Sequence, residues 1–301
     1  VLDVRRLRVL LAVAEHGGIA AAARALSFTP PAVSQQIAAL ERQLNTVLVD
    51  RSRRTARLTA AGGRLAGHAR EVLAALEAAE ADLAGDDGAV RGVLRIGVLP
   101  SLGRALLPDT LARLAVEAPE LDLRIEEAEP ENGLPALERG ELDVVVACEY
   151  TLAPRRPVEN VERADLFTEP MLVAVPPGHP LPGPRVRLAE LRDARWIAPA
   201  PGGPCALLFE RSCALAGYEP HVVGHCNDFA VAAALVGAGH GFTLIPRIVA
   251  PEHGEVRLLT AIDPEIRRTL FAATRPGARR HPAIACLLDA LIAGGRRQAI
   301  D

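Results

Sequence analysis

Thr29-Pro30-Pro31-Ala32-Val33-Ser34-Gln35-Gln36-Ile37 is the stretch that decides how the rest of the chain is read. Thr29 can accept a hydrogen bond from the first turn of a helix, and Pro30 follows where a missing N–H costs nothing. The stretch therefore predicts a helix start. Before it, Ala20 to Ala23 allow a first short helix to approach closely, and Leu26 closes that helix. Two short helices joined by a tight turn, with small residues at their crossing, form a helix-turn-helix whose second helix enters a major groove. Ser34 and Gln35 are then the polar groups at its start, suited to base edges and phosphates, with Thr29, Pro30 and Pro31 beside them. Double-stranded DNA is the expected partner.

The flanking residues agree. Val33, Ile37, Leu40 and Leu44 recur at helical spacing, and Asn45 tolerates the left-handed conformation that ends a helix. Val47, Leu48, Val49 and Ala56, Arg57, Leu58 are two extended runs around a basic tip holding Arg53 and Arg54, which reads as the wing of a winged helix-turn-helix. Residues 1–60 carry nine Arg and four acids, a net of +5 on a chain whose total is −3, so the remainder carries −8. A basic head on an acidic body is the electrostatic footprint of a nucleic-acid module joined to something else.

A long helix follows. Thr59 can cap it, and Leu65, Ala69, Val72, Leu76, Ala79 and Leu83 form an apolar seam of period 3.5 that ends at Gly85-Asp86-Asp87-Gly88. Such a seam suits a dimerising linker between a small head and a larger unit. From Val90 the pattern becomes α/β. Strands are expected at 93–98, 121–125, 142–147, 171–175, 196–198, 243–246 and 269–273. Helices are expected from Ser101 to about Glu117, at 133–139, 205–216 and 228–238, and finally at 281–294. The first three strands alternate with helices, which implies a parallel sheet with right-handed crossovers.

Over essentially its whole length the chain resembles LysR-type transcriptional regulators. The resemblance is carried in order by 7–14, the Ala22-Ala23…Leu26 helix, Pro31 to Ile37 with Leu40-Glu41, Arg57 to Gly62, Arg139-Gly140-Glu141-Leu142-Asp143, and Gly239 to Pro246. It implies an all-α-type winged helix-turn-helix at 1–58 and a linker helix and hinge at 59–91. It further implies an α/β effector-binding domain at 92–301, built like a two-lobe periplasmic binding protein. Lobe one would be 92–166 with 267–301, lobe two 167–266, and the hinge strands would cross near Phe167-Thr168 and Arg267-Arg268. It also implies a homodimer through the linker helix that pairs into a homotetramer. Gly18, Pro30, Asn45 and Val49 depart from the family's usual residues, and Pro30 leaves the operator sequence open.

By the same resemblance, a small-molecule effector binds between the lobes, against Ser101 and Leu102 on one side and Gly202, Gly203 and Cys205 on the other. Glu149 and Asp228-Phe229 are further candidates. Against these stand plainer readings: Ser101 as an N-cap, Cys205 as a small packed residue. Free N–H groups at two helix starts favour an anion such as a carboxylate. Glu149 and Asp228, if turned inward, oppose one, so the ligand's charge stays open.

Five cysteines (148, 205, 213, 226, 286), an odd number in a long chain, argue against a secreted disulfide scaffold. With no signal peptide before the head and no apolar run of about 18 residues, a cytoplasmic protein without a membrane span is expected. Cys205 and Cys213 occupy the region where peroxide-sensing members of the family carry their reactive pair, one residue closer together here. This makes a thiol-based redox sensor the alternative function. Eight residues along one helix is about 12 Å, too far for a disulfide unless the segment unfolds. His221, His225 and Cys226 lie along an expected strand that holds the two histidines about 13 Å apart, so no metal or cofactor is expected. An enzyme would need Ser101 or Cys205 as nucleophile with a histidine base, but no G-x-S-x-G elbow, phosphate loop or H-E-x-x-H occurs. A two-lobe solute carrier would lack the basic head.

Overall fold

Small side chains at helix crossings and a short apolar stripe build the head. The computed structural model describes residues 2–50, 57–84, 90–154, 161–252 and 256–300. Helix α1 (Val4–Glu15) starts where Asp3 accepts the Arg5 N–H at 2.8 Å. Helix α2 (Ile19–Ala25) turns Ala22 and Ala23 inward, and α3 (Pro30–Leu44) answers with Val33, Ile37 and Leu40; all five are fully buried. Thr29 caps α3 through the Ala32 N–H at 3.4 Å, and Asn45 ends it in the left-handed region at φ 48°. The Glu41 carboxylate then accepts the N–H groups of Leu48 and Val49 at 2.8 and 3.0 Å, fixing the chain's entry into the wing. Strands β1 (Val49–Asp50) and β2 (Arg57–Leu58) pair antiparallel. The basic tip between them, with Arg53 and Arg54, lies outside the described residues.

Thr59 Oγ accepts the Gly62 N–H at 3.0 Å and opens helix α4 (Ala60–Ala84). Along the expected seam Ala69 is buried and Leu65 half-buried, whereas Val72 and Leu76 are 44% and 37% exposed. The side chains of Ala79 and Leu83 and the Gly85–Gly88 break lie outside the described residues.

The remainder forms two lobes. Strand β3 (Arg91–Val98), helix α5 (Pro100–Glu117), β4 (Glu120–Glu127), α6 (Pro130–Glu138) and β5 (Val144–Tyr150) alternate, and β3 pairs parallel with both β4 and β5. Strand β6 (Glu162–Val175) is far longer than the expected 171–175. Its first part pairs with β12 (Arg267–Thr274), and from Met171 onward it pairs with β10 (Thr243–Pro246) on one edge and β11 (Arg257–Asp263) on the other. One strand thus belongs to both lobes. Strand β7 (Arg185–Arg187) adds to β11, and β8 (Arg195–Ala198) pairs with β9 (His221–His225) in a small sheet. Helices α7 (Pro204–Leu215) and α8 (Phe229–Gly237) belong to lobe two, and α9 (Pro282–Ile300) returns to lobe one against α5. Trp196, wholly buried, is wedged edge-on between Phe209 and Phe242.

Helix α4 is seated on lobe one at the Arg139–Asp143 turn. Gly140 takes φ +73°, and a Cβ built there would stand 2.5 Å from Gly67 Cα on α4. Arg70 donates to the Gly140 carbonyl and lies 3.8 Å from the Asp143 carboxylate. Asp143, 1% exposed, also accepts the Arg95 N–H at 2.9 Å and Arg275 Nη2 at 3.2 Å. Glu15 of the head reaches Arg95 of β3 at 3.2 Å. Gly140→Ala is expected to destabilise by about 2–4 kcal/mol, through a positive φ and a blocked close approach. Gly178→Ala, also at positive φ (+77°) but in open space, carries only the backbone cost. Equal losses for the two variants in urea unfolding would mean that the Gly67–Gly140 contact contributes nothing.

Candidate functional site

Two surfaces hold the residues singled out from the sequence. At the start of α3, Thr29, Pro30, Pro31 and Gln35 are exposed and Ser34 is half-buried. Helical spacing explains the split: Val33 and Ile37 turn into the head, so 34 and 35 turn out. These polar groups sit together on a helix end whose N–H groups face outward, the geometry that meets phosphate and base edge.

The second surface is a cavity of about 630 Å³ between the lobes. Ser101 lines it, but not as an N-cap. The helix begins one residue earlier at Pro100, with no side chain capping it, and Ser101 Oγ instead receives Arg268 Nη1 at 3.3 Å. Gly203, Cys205, Asp228 and Phe229 line the opposite wall, and Asp228 caps α8 by accepting the Ala230 and Val231 N–H groups. Three expected residues fall elsewhere. Leu102 is wholly buried in the core of lobe one, and Gly202 is not on the cavity wall. Glu149 pairs with Arg163 at 2.5 Å outside the cavity. The reason is the two-residue period of a strand: Cys148 and Tyr150 face inward from β5, so the residue between them faces away.

Sequence reasoning missed the floor of this cavity. Arg268 and Glu169 are cross-strand partners on β12 and β6, 1% and 0% exposed, joined by Nε–Oε1 at 2.7 Å. Glu169 Oε2 also accepts the Ile248 N–H at 2.6 Å. Burial works against the Arg268 charge, but the Glu169 carboxylate, with Cys148 and Tyr150, outweighs it, so the guanidinium is held protonated above its ordinary range. Beside it stand Cys148, Tyr150 and Cys205. A second cavity of about 320 Å³ lies where α4 meets lobe one, between Val72, Ala75, Val93 and Ile284 with Arg70 and Arg275. It joins elements far apart in the chain, and no local pattern announces it.

The thiols are not arranged as a ready pair. Cys205 and Cys213 lie eight residues apart on α7, about 12 Å along its axis. Burial pushes both up to about 11, against hydrogen bonds from Tyr150 and Tyr218 respectively. Arg211 donates to the Leu152 carbonyl of lobe one at 2.7 Å. His221 and His225 are exposed, and His225 Nδ1 meets the Pro199 carbonyl at 3.0 Å. No cluster able to hold a metal occurs among the described residues.

Comparison with known proteins gives this geometry its context. The family model described as "Bacterial regulatory helix-turn-helix protein, lysR family" matches residues 4–63, and that of the "LysR substrate binding domain" matches 87–296. The chain belongs to the LysR family of transcriptional regulators. A "Probable hydrogen peroxide-inducible genes activator" of Mycobacterium avium is 34% identical over 276 residues, covering 91% of this chain and 85% of that protein. The "DNA-binding transcriptional dual regulator OxyR" of Escherichia coli K12 is 31% identical over 282 residues, covering 92% and 90%. Among solved structures, a full-length OxyR of Pseudomonas aeruginosa shares the fold with a TM-score of 0.78 at 23% identity, over 97% of this chain and 95% of that one. LysR-family membership sets aside the enzyme and solute-carrier readings. Among the described residues no helix is long and apolar enough to cross a membrane.

Alkylation of Cys205 in the folded protein is expected to climb about tenfold per pH unit until near pH 11, because only the thiolate reacts. Labelling resolved by mass spectrometry checks this. A plateau at or below pH 8 would show a thiol activated rather than suppressed by its surroundings.

Proposed function

We propose that this regulator reads an interrupted inverted repeat in promoter DNA and changes its grip when a small effector enters the inter-lobe cavity. The head (1–58) would place Thr29, Pro30, Pro31, Ser34 and Gln35 in the major groove, with Arg53 and Arg54 of the wing on flanking phosphate. The linker (59–91) would pair two chains, two such dimers would form a tetramer, and the protein would work in the cytoplasm. Ser101, Gly203, Cys205, Asp228 and Phe229 of the effector unit (92–301) would contact the ligand. Lobe closure would then alter the spacing of the heads and the bend they impose. The observation that carries this reading is a cavity lined from both lobes, joined through lobe one to α4 and the head.

A second reading has a specific observation behind it. Relatives named as hydrogen peroxide-inducible genes activators match over nine-tenths of this chain, and Cys205 stands on the cavity wall. The raised thiol and its distance from Cys213 weigh against it, and ligand sensing is preferred.

Selection of genomic DNA fragments by the purified protein at near-physiological salt tests the main reading. Enrichment of a few sites with an interrupted inverted repeat is expected. Bulk DNA alone, with metabolite pools and with oxidant as well as without, would overturn it. On an enriched site, Gln35→Ala should change base preference by about 1–3 kcal/mol at one position. Arg53→Ala or Arg54→Ala should weaken all sequences alike and lower the salt slope by about one. Equal changes in preference from both kinds of variant would contradict the division of labour.

A further inference from the structure

The inter-lobe cavity holds one buried cation, Arg268, while its exposed charges are Arg104 and the four acids Glu127, Glu129, Glu131 and Asp228. Arg268 spends Nε on Glu169 and Nη1 on Ser101. Its enclosed Nη2 has no hydrogen-bond partner among the described residues. A guanidinium has five N–H donors in a fixed fork, and an unmet donor on a buried charged group is costly. A ligand oxygen at this end of the cavity would relieve that cost, and a planar carboxylate suits the fork best.

The mouth of the cavity has the opposite net sign, with four acids against Arg104. Glu127, at the end of β4, is exposed on the lobe-one side. Asp228 stands on the lobe-two side, where Oδ1 caps α8 and Oδ2 makes no bond among the described residues. A simple carboxylic acid would be drawn to Arg268 and repelled at the mouth. A simple amine would be held at the mouth and offer nothing to Arg268. A molecule carrying both charges satisfies both ends and ties the lobes together, since Arg268 reaches lobe one through Ser101 while Asp228 belongs to lobe two.

We infer that the effector is a zwitterion, an amino acid or a related amino-carboxylate. Its carboxylate sits against Arg268 and Ser101, and its ammonium lies between Glu127 and Asp228. This rests on the cavity being the effector site, and it replaces the open question of ligand charge with a definite pattern. Cys205, Cys148 and Tyr150 then form a neutral wall beside the carboxylate.

The test is thermal unfolding of the full chain against each common amino acid, the matching acids that lack the amine, and the matching amines that lack the carboxylate. At least one amino acid should raise the melting temperature, and neither of its single-charge counterparts should do so. Glu127→Gln should weaken that amino acid about tenfold, the effect of losing one charge-assisted contact. Equal stabilisation by the amine-free acid would overturn the proposal, as would no stabilisation by any amino acid. The genomic selection separates the two failures. Specific sites without amino-acid binding would leave the regulator and remove the zwitterion, whereas loss of specific sites would remove the regulator reading itself.

Discussion

A buried ion pair holds the effector unit together at the place where its lobes meet. Arg268 and Glu169 face one another across β12 and β6, at the point where β6 leaves the sheet of one lobe for that of the other. Two charges removed from water cost several kcal/mol each, and their attraction offsets this only when the remaining donors and acceptors are met. Glu169 is well supplied, with Arg268 on one oxygen and the Ile248 N–H on the other. Arg268 is not: one of its nitrogens is unmet, and the side chain lines the cavity. The hinge and the cavity therefore share one side chain. A ligand that completes the guanidinium acts directly on the pair that sets how the lobes are joined.

The route from that pair to the DNA-reading end is short. Thr168 and Thr269, next to the ion pair, share a hydrogen bond at 3.0 Å, and β12 runs from there to Thr274, with Arg275 directly after it. Arg275 is 7% exposed and holds the carbonyls of Leu137 and Leu142 as well as Asp143. Asp143 faces Arg70 of α4, and Glu15 of the head reaches Arg95 on the neighbouring strand. Strand β12 carries the chain from the cavity floor to Arg275, and from there Asp143, Arg70 and Arg95 make the polar contacts that reach α4 and the head. A change in lobe angle has a physical path to α4 without any change within the head's own core.

Much of this was legible in the sequence where spacing is local. The Thr29-Pro30 start, the Val33/Ile37/Leu40 stripe and the Asn45 stop are adjacent signals that tertiary packing had no cause to override. The alternating β3–α5–β4–α6–β5 run was equally plain. What sequence could not show depended on partners far away. The hinge strand expected at Arg267-Arg268 gave no partner for its arginines, and only the ladder brings Glu169, 99 residues distant, opposite Arg268. Glu149 was misplaced because the expected strand stopped at Ala147, whereas β5 runs on to Tyr150 and turns Glu149 away from the cavity. Ser101, expected on the cavity wall or as a cap, does not cap because Pro100 starts the helix itself, and no local signal distinguishes the first helical position from the second. Strand β11 and the start of β6, before the hinge strand expected near Phe167-Thr168, were missed because they are rich in charge, with Glu162, Arg163 and Asp165 on one and Arg257 and Asp263 on the other.

The central claim is that Arg268 and Glu169 act as one unit on which the joined lobes depend. A double-mutant cycle with Arg268→Met and Glu169→Leu tests it directly, read by chemical unfolding through the fluorescence of Trp196, the chain's one tryptophan. Each single change strands a buried charge and is predicted to cost roughly 3–5 kcal/mol, while the pair together costs far less than the sum. Losses that simply add would contradict the account, because the two charges would then be stabilised independently of each other.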